Sequence, residues 1–506
     1  MQNYSKPHKE GLRSKTIDGM YWMTLSSVLN FVFYFLITAI LARLLLPSEH
    51  GIMQAATVVI SFSEIFWQIG VGPAIVQNKN LNEKHIGTAI VSSFILGFIT
   101  MVVIFFLSPV ISLIFKNDDL IVVLRVLSVI FVFHSISVVS ESLLQKEMLF
   151  KKIAVNRLIS LIFGYGMTSV LLSYVGLGYW ALVIATLVQA LIKSILMNIT
   201  CKTKRKIMFD FSSFKELISF GGGFTIAKIF NNIALQIDNI VVSRTMGAES
   251  LAIYGKAYQL MSVPAHLLGG VLDQVLFPAM SKAQNEKEKL KIAFKVGMNT
   301  IAFVTMPISI LLWIFAPEVV MIILGPNWIS AVGPVKIYAF TLFFRTGYKI
   351  SDSLCRALGA EYKRAIRQFI YAVMVAMGAY IGHFYGLEYV ALGVSIAIIM
   401  NFIIMTSLSM KLTSMKWTDL SKTFAGIAII ELILFIISIF TRSIFTSIPK
   451  IFEMIFLSII VTISYIIILY VYYKRFITIE EQKMLSSLGK IALSKFIKKK
   501  AIAKVS

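Results

Sequence analysis

Long apolar runs separated by short polar segments recur along the whole chain. A helix needs about 20 mostly apolar residues to cross a bilayer. The runs predict spans near 20–42, 52–75, 87–112, 120–143, 153–175 and 179–199. Six more are expected near 217–244, 251–280, 293–323, 333–356, 366–383 and 388–411, and a last pair near 423–441 and 451–473. The fold class this implies is all-α: a polytopic membrane protein of about fourteen transmembrane helices, arranged as two pseudo-symmetric six-helix lobes plus two C-terminal helices. The expected segments are an N-terminal stretch 1–19, a first lobe 20–200, a linker 201–216, a second lobe 217–412, helices 13 and 14 within 421–473, and a basic amphipathic tail 474–506.

The two lobes come from self-comparison. Gly176-Leu177-Gly178-Tyr179 recurs as Gly386-Leu387-Glu388-Tyr389, and Ser140-Glu141-Ser142-Leu143 as Ser351-Asp352-Ser353-Leu354. Arg43 near the end of span 1 matches Arg244 near the end of span 7, and Pro73-Ala74 matches Pro278-Ala279. The matches fall in chain order, as an internal duplication requires. Each copy holds an even number of spans, so both enter the membrane in the same sense. Transporters built from such parallel repeats bind their substrate between the repeats.

Composition sharpens this picture. Of 506 residues, 58% are apolar and only 14% charged, against about 25% charged in an ordinary soluble domain. A soluble enzyme, a disordered scaffold and a disulfide-rich secreted domain are excluded. A net charge of +23 would suggest nucleic acid in a soluble chain,, but here Lys and Arg collect in alternate connections. That asymmetry marks the cytoplasmic side: a multi-pass membrane protein with both termini cytoplasmic, and no nucleic-acid partner. Two cysteines, Cys201 and Cys355, form neither a disulfide framework nor a metal-binding spacing,. No cofactor and no metal ligand set is expected.

A charge at the bilayer centre costs from about 3 to more than 10 kcal/mol, so polar residues within spans should face water or a partner. Span 10 places Arg345, Lys349, Asp352 and Arg356 at i, i+4, i+7 and i+11, one face of a helix,. Arg345 should lie near mid-depth, about 18 Å in at 1.5 Å per residue. Span 4 carries His134 and Glu141 at corresponding positions. Span 7 carries Lys228, Asn232, Gln236 and Asn239, and span 1 carries Asn30 and Tyr34. The functional reading is a cationic, hydrated cleft suited to a phosphate or acidic sugar. The plain alternatives are mutual neutralisation of the charges and helix–helix hydrogen bonding by the amides. Glu64 and Asp273 read as isolated acids, able to carry protons or to pair with a base, and Lys193 as snorkelling to the inner interface. Glu64, Asp273, Glu141, Asp352, Arg43 and Arg244, together with Pro73 and Pro264, form the candidate coupling and gating set. Pro73, after Gly70 and Gly72, and Pro264, ahead of Gly269-Gly270, are expected to interrupt spans 2 and 8 as bending points.

No G-x-x-x-x-G-K-[ST] loop or H-E-x-x-H is present, so no catalytic residue is assigned,. Several phrases carry a family resemblance: Leu41 onward (LARLLLPSEHGIMQAA), Gly70 (GVGPAIVQ), Leu143 (LLQKEMLFKKI), Val275 (VLFPAMSKAQNEKEKL) and Leu324 (LGPNWISAVGPV). They resemble the Wzx-type polysaccharide flippases, in the branch of colanic-acid and teichuronic-acid exporters. The resemblance implies the MATE/MurJ-like fold of the multidrug/oligosaccharidyl-lipid/polysaccharide superfamily, two lobes around a central cavity. It also implies an undecaprenyl-diphosphate-linked oligosaccharide as substrate, flipped by alternating access, with membrane lipid, a polysaccharide polymerase and glycosyltransferases as partners. The alternatives left open are a multidrug exporter, a peptidoglycan lipid-precursor flippase and a membrane-embedded glycan polymerase or ligase.

Overall fold

The computed structural model describes residues 9–418 except 69–70, 78–80 and 203–206, together with residue 420 and scattered positions between 432 and 465. Most of the expected spans 13 and 14, the whole basic tail and the first eight residues lie outside the described residues, as do the side chains of Pro73 and Lys228.

Every element among the described residues is helical. In chain order these are α1 (Lys9–Leu44), α2 (Pro47–Gln68), α3 (Val71–Gln77), α4 (Glu83–Phe115), α5 (Asp119–Leu127), α6 (Ile130–Lys146) and α7 (Phe150–Ile159). A π-helical stretch, Ser160–Met167, runs on into α8 (Thr168–Tyr174), followed by α9 (Tyr179–Thr200) and the long α10 (Phe211–Lys282). After these come α11 (Lys287–Ile314), α12 (Ala316–Ile323), a 3₁₀ stretch Pro326–Ala331, α13 (Val332–Ala357), α14 (Glu361–Gly382) and α15 (Leu387–Thr413).

Eight stretches among the described residues are long and apolar enough to cross a membrane, in α1, α4, α5–α6, α7–α8, α9, α11, α14 and α15. α13 is absent from that set for a reason visible in its sequence: five charged residues between Lys336 and Arg356 depress its hydropathy.

α4 shows how such helices pack. Its buried positions include Ser92, Ser93, Gly97, Thr100, Ser108 and Ser112, whereas Phe94, Phe98, Phe105 and Phe106 point outward. Small residues at helix contacts and large apolar ones outside is the arrangement a lipid solvent favours. α14 and α15 carry it further. A Cβ built on Gly393 would lie 2.3 Å from the Gly378 carbonyl oxygen, so the two backbones touch. Gly393→Leu is expected to destabilise the protein by roughly 1–3 kcal/mol or more, read as a lowered unfolding midpoint in detergent. An unchanged midpoint would show that the crossing is not close-packed.

Helix boundaries follow ordinary chemistry. The Asn82 side chain accepts from the His85 amide at 2.9 Å and caps α4,. Asp210 accepts from the amide and hydroxyl of Ser213 at 2.9 and 2.7 Å and starts α10. Those bonds hold the exposed Asp210 carboxyl below its usual range, so its contribution to stability is present at neutral pH and is lost as pH falls through that depressed value.

α10 is two helices joined at Gly247, with φ +85° and ψ 179°, which is the connection between the expected spans 7 and 8. The second of them continues through Pro264 in helical conformation. Only glycine occupies that region without strain, whereas proline in a long helix forfeits one hydrogen bond and bends it. Around Pro73 the new helix α3 starts at Val71, which puts the proline in a first turn, where its missing amide matters little.

Two compact units result. The first comprises 1–258, 320–334 and 368–397, and the second 259–319, 335–367 and 398–506. Within the first, one core gathers Val71, Ile75, Ile86, Val139 and Leu143, and another Ile37, Leu41, Leu161 and Leu182. The second is centred on Phe294, Met298, Ile350 and Phe402.

Candidate functional site

The charged face of α13 lies in the second unit, against the part of α10 that follows Gln259. Lys349 is half-buried, and its amine donates to the Ala265 carbonyl at 3.3 Å and lies 3.2 Å from His266 Nδ1. Its hydrogen-bond partners are therefore neutral. Its stem crosses Gly269, where an added Cβ would come within 2.4 Å of the Lys349 Cδ. The missing side chain at Gly269 is what lets the lysine lie along α10. One turn earlier, Arg345 is buried, 3% exposed, with its guanidinium carbon 5.4 Å from the centre of the Tyr348 ring. The expectation of an open, water-facing Arg345 is thus met differently: Lys349 is the accessible cation, and Arg345 sits behind it under an aromatic face.

Further along the same face the charges pair. Arg356 bonds Asp273 of α10, reaches Asp352 at 3.1 Å, and stacks 4.9 Å from the Phe277 ring centre. Arg364 of α14 reaches Asp352 at 2.5 Å and Glu361 at 2.7 Å, and Ser353 donates to Asp273. Asp273, isolated in the sequence, is anything but isolated in space. Three acids, Asp273, Asp352 and Glu361, meet two arginines here, and Lys349 shares no ion pair with them while remaining within reach of the fields of Asp273 and Asp352.

The first unit repeats the motif. Glu141 of α6 pairs with Arg157 of α7 and with Lys193 of α9, the latter at 3.0 Å. Lys193, expected as a snorkelling lysine, has Glu141 as its ion-pair partner. In each copy an acid of the duplicated Ser-acid-Ser-Leu phrase is clamped by an arginine of the following helix. His134 stands 4.0 Å from Glu64.

Of the span 7 amides, Asn232 makes a contact to another helix and Asn239 bonds within its own. Asn232 donates to the Ser61 carbonyl at 2.5 Å, and Asn239 to Gln236 at 2.9 Å. Asn30 bonds within its own helix, to Ser26. Asp238, overlooked in the sequence, accepts from the Tyr254 hydroxyl at 2.6 Å in a buried position.

Arg43 and Arg244 share one task. Arg43 donates to the Ile322 carbonyl at 2.6 Å, at the end of α12. Arg244 donates to the Leu113 and Ile114 carbonyls at 3.4 and 3.1 Å, near the end of α4. Trp328 adds a buried bond from its indole to the Ala42 carbonyl at 2.8 Å, and His50 meets its ring edge-on.

Tyr34 lines a cavity of about 280 Å³ inside the first unit and stacks on Tyr165, with ring centres 6.4 Å apart. The sequence reading missed Tyr165, Lys256, His266 and Arg364. The one signal for Lys256 was a lysine inside an apolar stretch of α10. No cluster of three or more His, Cys, Asp or Glu able to hold a metal occurs among the described residues.

Comparisons with known proteins bear on these features. Residues 40–333 match the family described as "Polysaccharide biosynthesis protein". The chain is 24% identical over 399 residues to lipopolysaccharide biosynthesis protein WzxC of Escherichia coli (strain K12), covering 78% of this chain and 80% of that one. It is 24% identical over 352 residues to teichuronic acid biosynthesis protein TuaB of Bacillus subtilis (strain 168), covering 69% and 72%. Among solved structures, lipid II flippase MurJ in an inward closed conformation superimposes with a TM-score of 0.75, covering 90% of this chain and 99% of that one at 17% identity. At that identity the likeness is one of fold.

Proposed function

The chain belongs to the polysaccharide biosynthesis protein family, and on that premise we propose that it flips a lipid-linked glycan from one leaflet to the other during assembly of a surface polysaccharide. It is a multi-pass membrane protein whose relatives bear the names of polysaccharide biosynthesis proteins. The substrate we propose is an undecaprenyl-diphosphate-linked oligosaccharide, taken up at the cytoplasmic face of the inner membrane.

The observation that carries this reading is Lys349: a cation on a membrane-protein helix, held by neutral atoms and backed by Arg345. A diphosphate headgroup cannot enter hydrocarbon without compensation, and the Lys349 ammonium, with two of its three donors turned to Ala265 and His266, offers its charge and a third donor. An organic-cation exporter would favour an acid here, and the acids of this face, Asp273 and Asp352, are already paired with arginines. The paired acids Glu141 and Asp352 are proposed to hold neighbouring helices together, and the His134–Glu64 pair is the remaining site for proton coupling.

The test is the full chain in liposomes loaded with a fluorescent polyprenyl-diphosphate-linked glycan. The expected result is accelerated loss of leaflet asymmetry with no new glycosidic bond. Bond formation would make the protein a polymerase or ligase, and transport of an organic cation in place of the lipid would make it a drug exporter.

A further inference from the structure

The cavity within the first unit is not used by the reading above, and its lining is unusual for the inside of a helical bundle in a membrane. α1, α2, the π-helical stretch, α9 and α10 each contribute, with Tyr34, Gln54, Tyr165, Thr186, Gln189 and Lys256 supplying its polar and aromatic surface. Gln54, Gln189 and Lys256 make no hydrogen bond or ion pair with any described residue. The Thr186 hydroxyl donates to its own helix, to the Leu182 carbonyl at 2.7 Å, and keeps its acceptor capacity. Two amides and an amine left unsatisfied by protein in low-dielectric surroundings are costly unless something polar fills the space.

The shape of the site follows from the fold. A π-helical stretch widens the turn that carries Tyr165, and such stretches occur disproportionately at functional sites. Gly164 within it allows α9 to approach so closely that a Cβ there would lie 2.6 Å from the Gln189 Cα. That contact sets Gln189 beside the ring of Tyr165. Gly255 does the same for Gln54, whose amide nitrogen would be 2.9 Å from a Cβ at that position. Three polar side chains are thereby brought around one space.

Size and charge select the ligand. About 280 Å³ falls just below the roughly 300–1,000 Å³ of pockets for drug-sized molecules, which leaves room for a single pyranose. The stacked tyrosines give an apolar wall for a sugar face, and the amides and hydroxyl match ring hydroxyls. No Asp or Glu lines the cavity, and Lys256 stands in it beside a histidine already engaged with the Leu41 carbonyl and Trp328. We infer that this cavity is a subsite for one carboxylate-bearing sugar, with Lys256 receiving the carboxylate and Gln54 and Gln189 the hydroxyls. The inference rests on the glycan-export reading and specifies it: the exported repeat unit contains an acidic sugar.

The test uses the purified full chain in detergent, with methyl glucuronide and methyl glucoside as probes and binding followed by ligand-observed NMR. The expected result is at least tenfold tighter binding of the glucuronide. Lys256→Gln is expected to abolish that preference and Lys256→Arg to keep part of it, with Gln189→Ala weakening both sugars alike. Equal binding of the two probes, no binding of either, or a preference that survives Lys256→Gln would overturn the inference. Wild-type liposome flipping of a polyprenyl-diphosphate-linked glycan that carries a glucuronate separates the two readings. Flipping without glucuronide preference removes the subsite alone, and glucuronide preference without flipping removes the export reading alone.

Discussion

Replacing Arg345 and Lys349 together by alanine abolishes glycan export while the protein still accumulates in the membrane. The size of the effect comes from desolvation. Losing one partner of a buried charge pair typically costs 2–5 kcal/mol, and a diphosphate entering the site would lose two. The expected fall in flipping rate is at least about a hundredfold, which follows from roughly 3 kcal/mol at 1.36 kcal/mol per decade. The two residues are not equivalent. Lys349 is half-buried with neutral partners, so Lys349→Ala alone should retain the fold and lose most of the activity. Arg345 is buried beneath Tyr348, and Arg345→Ala removes packing as well as charge. A third variant separates charge from position. Gly269→Ala places a methyl group where the Lys349 stem runs, displacing the amine with no charge altered, and should slow flipping while the unfolding midpoint stays near wild type. The measurement is initial flipping rate in liposomes, with unfolding midpoints as the control. Wild-type rates in Lys349→Ala would end the assignment of this face to substrate.

How far the sequence leads can be judged from particular residues. The helical membrane class and the charged face of α13 are legible, because each depends on periodicity or composition along a single segment. Lys349 is an example: its register with Arg345, Asp352 and Arg356 is one-dimensional information. What cannot be read is the partner across a helix contact. Lys193 lies 52 residues from Glu141 and Asp273 lies 83 from Arg356, so both look like lone charges until the fold brings them together. Arg345 shows the opposite failure. Its depth is predictable, but its burial under Tyr348 depends on how α13 is rotated in its bundle. Lys256 went unnoticed because one lysine in an apolar run has no pattern. Only the cavity around it, built by close approaches at Gly164 and Gly255, gives it meaning.

Arg43 and Arg244, matched in the repeat read from the sequence, provide a second large effect. The two arginines correspond in the repeat, yet each grips the carbonyl end of a helix from the other copy. Arg43, in copy one, holds Ile322 in copy two, and Arg244, in copy two, holds Leu113 and Ile114 in copy one. A cation at a helix C-terminus contributes roughly 0.3–1 kcal/mol when exposed and up to about 2 kcal/mol in closer geometry. Both arginines are exposed, so each belongs in the range of roughly 0.3–1 kcal/mol. Loss of both grips should therefore shift the balance between clasped and unclasped ends by roughly three- to thirtyfold. Trp328, buried with its indole on the Ala42 carbonyl, closes the same junction, and Ala331 in the same 3₁₀ stretch is fully buried. With Cys201 and Cys355 replaced by serine, a cysteine introduced at Ala331 reports the opening through its rate of maleimide labelling in detergent. Arg43→Ala with Arg244→Ala should raise that rate about tenfold, each single change less, and lysine at both positions should restore part of the protection, since an ammonium can also cap carbonyls. Equal labelling of the double alanine variant and its parent would mean that the arginines decorate a junction held by packing alone. A rise that lysine does not reverse would assign the effect to lost side-chain volume rather than to charge at the helix ends.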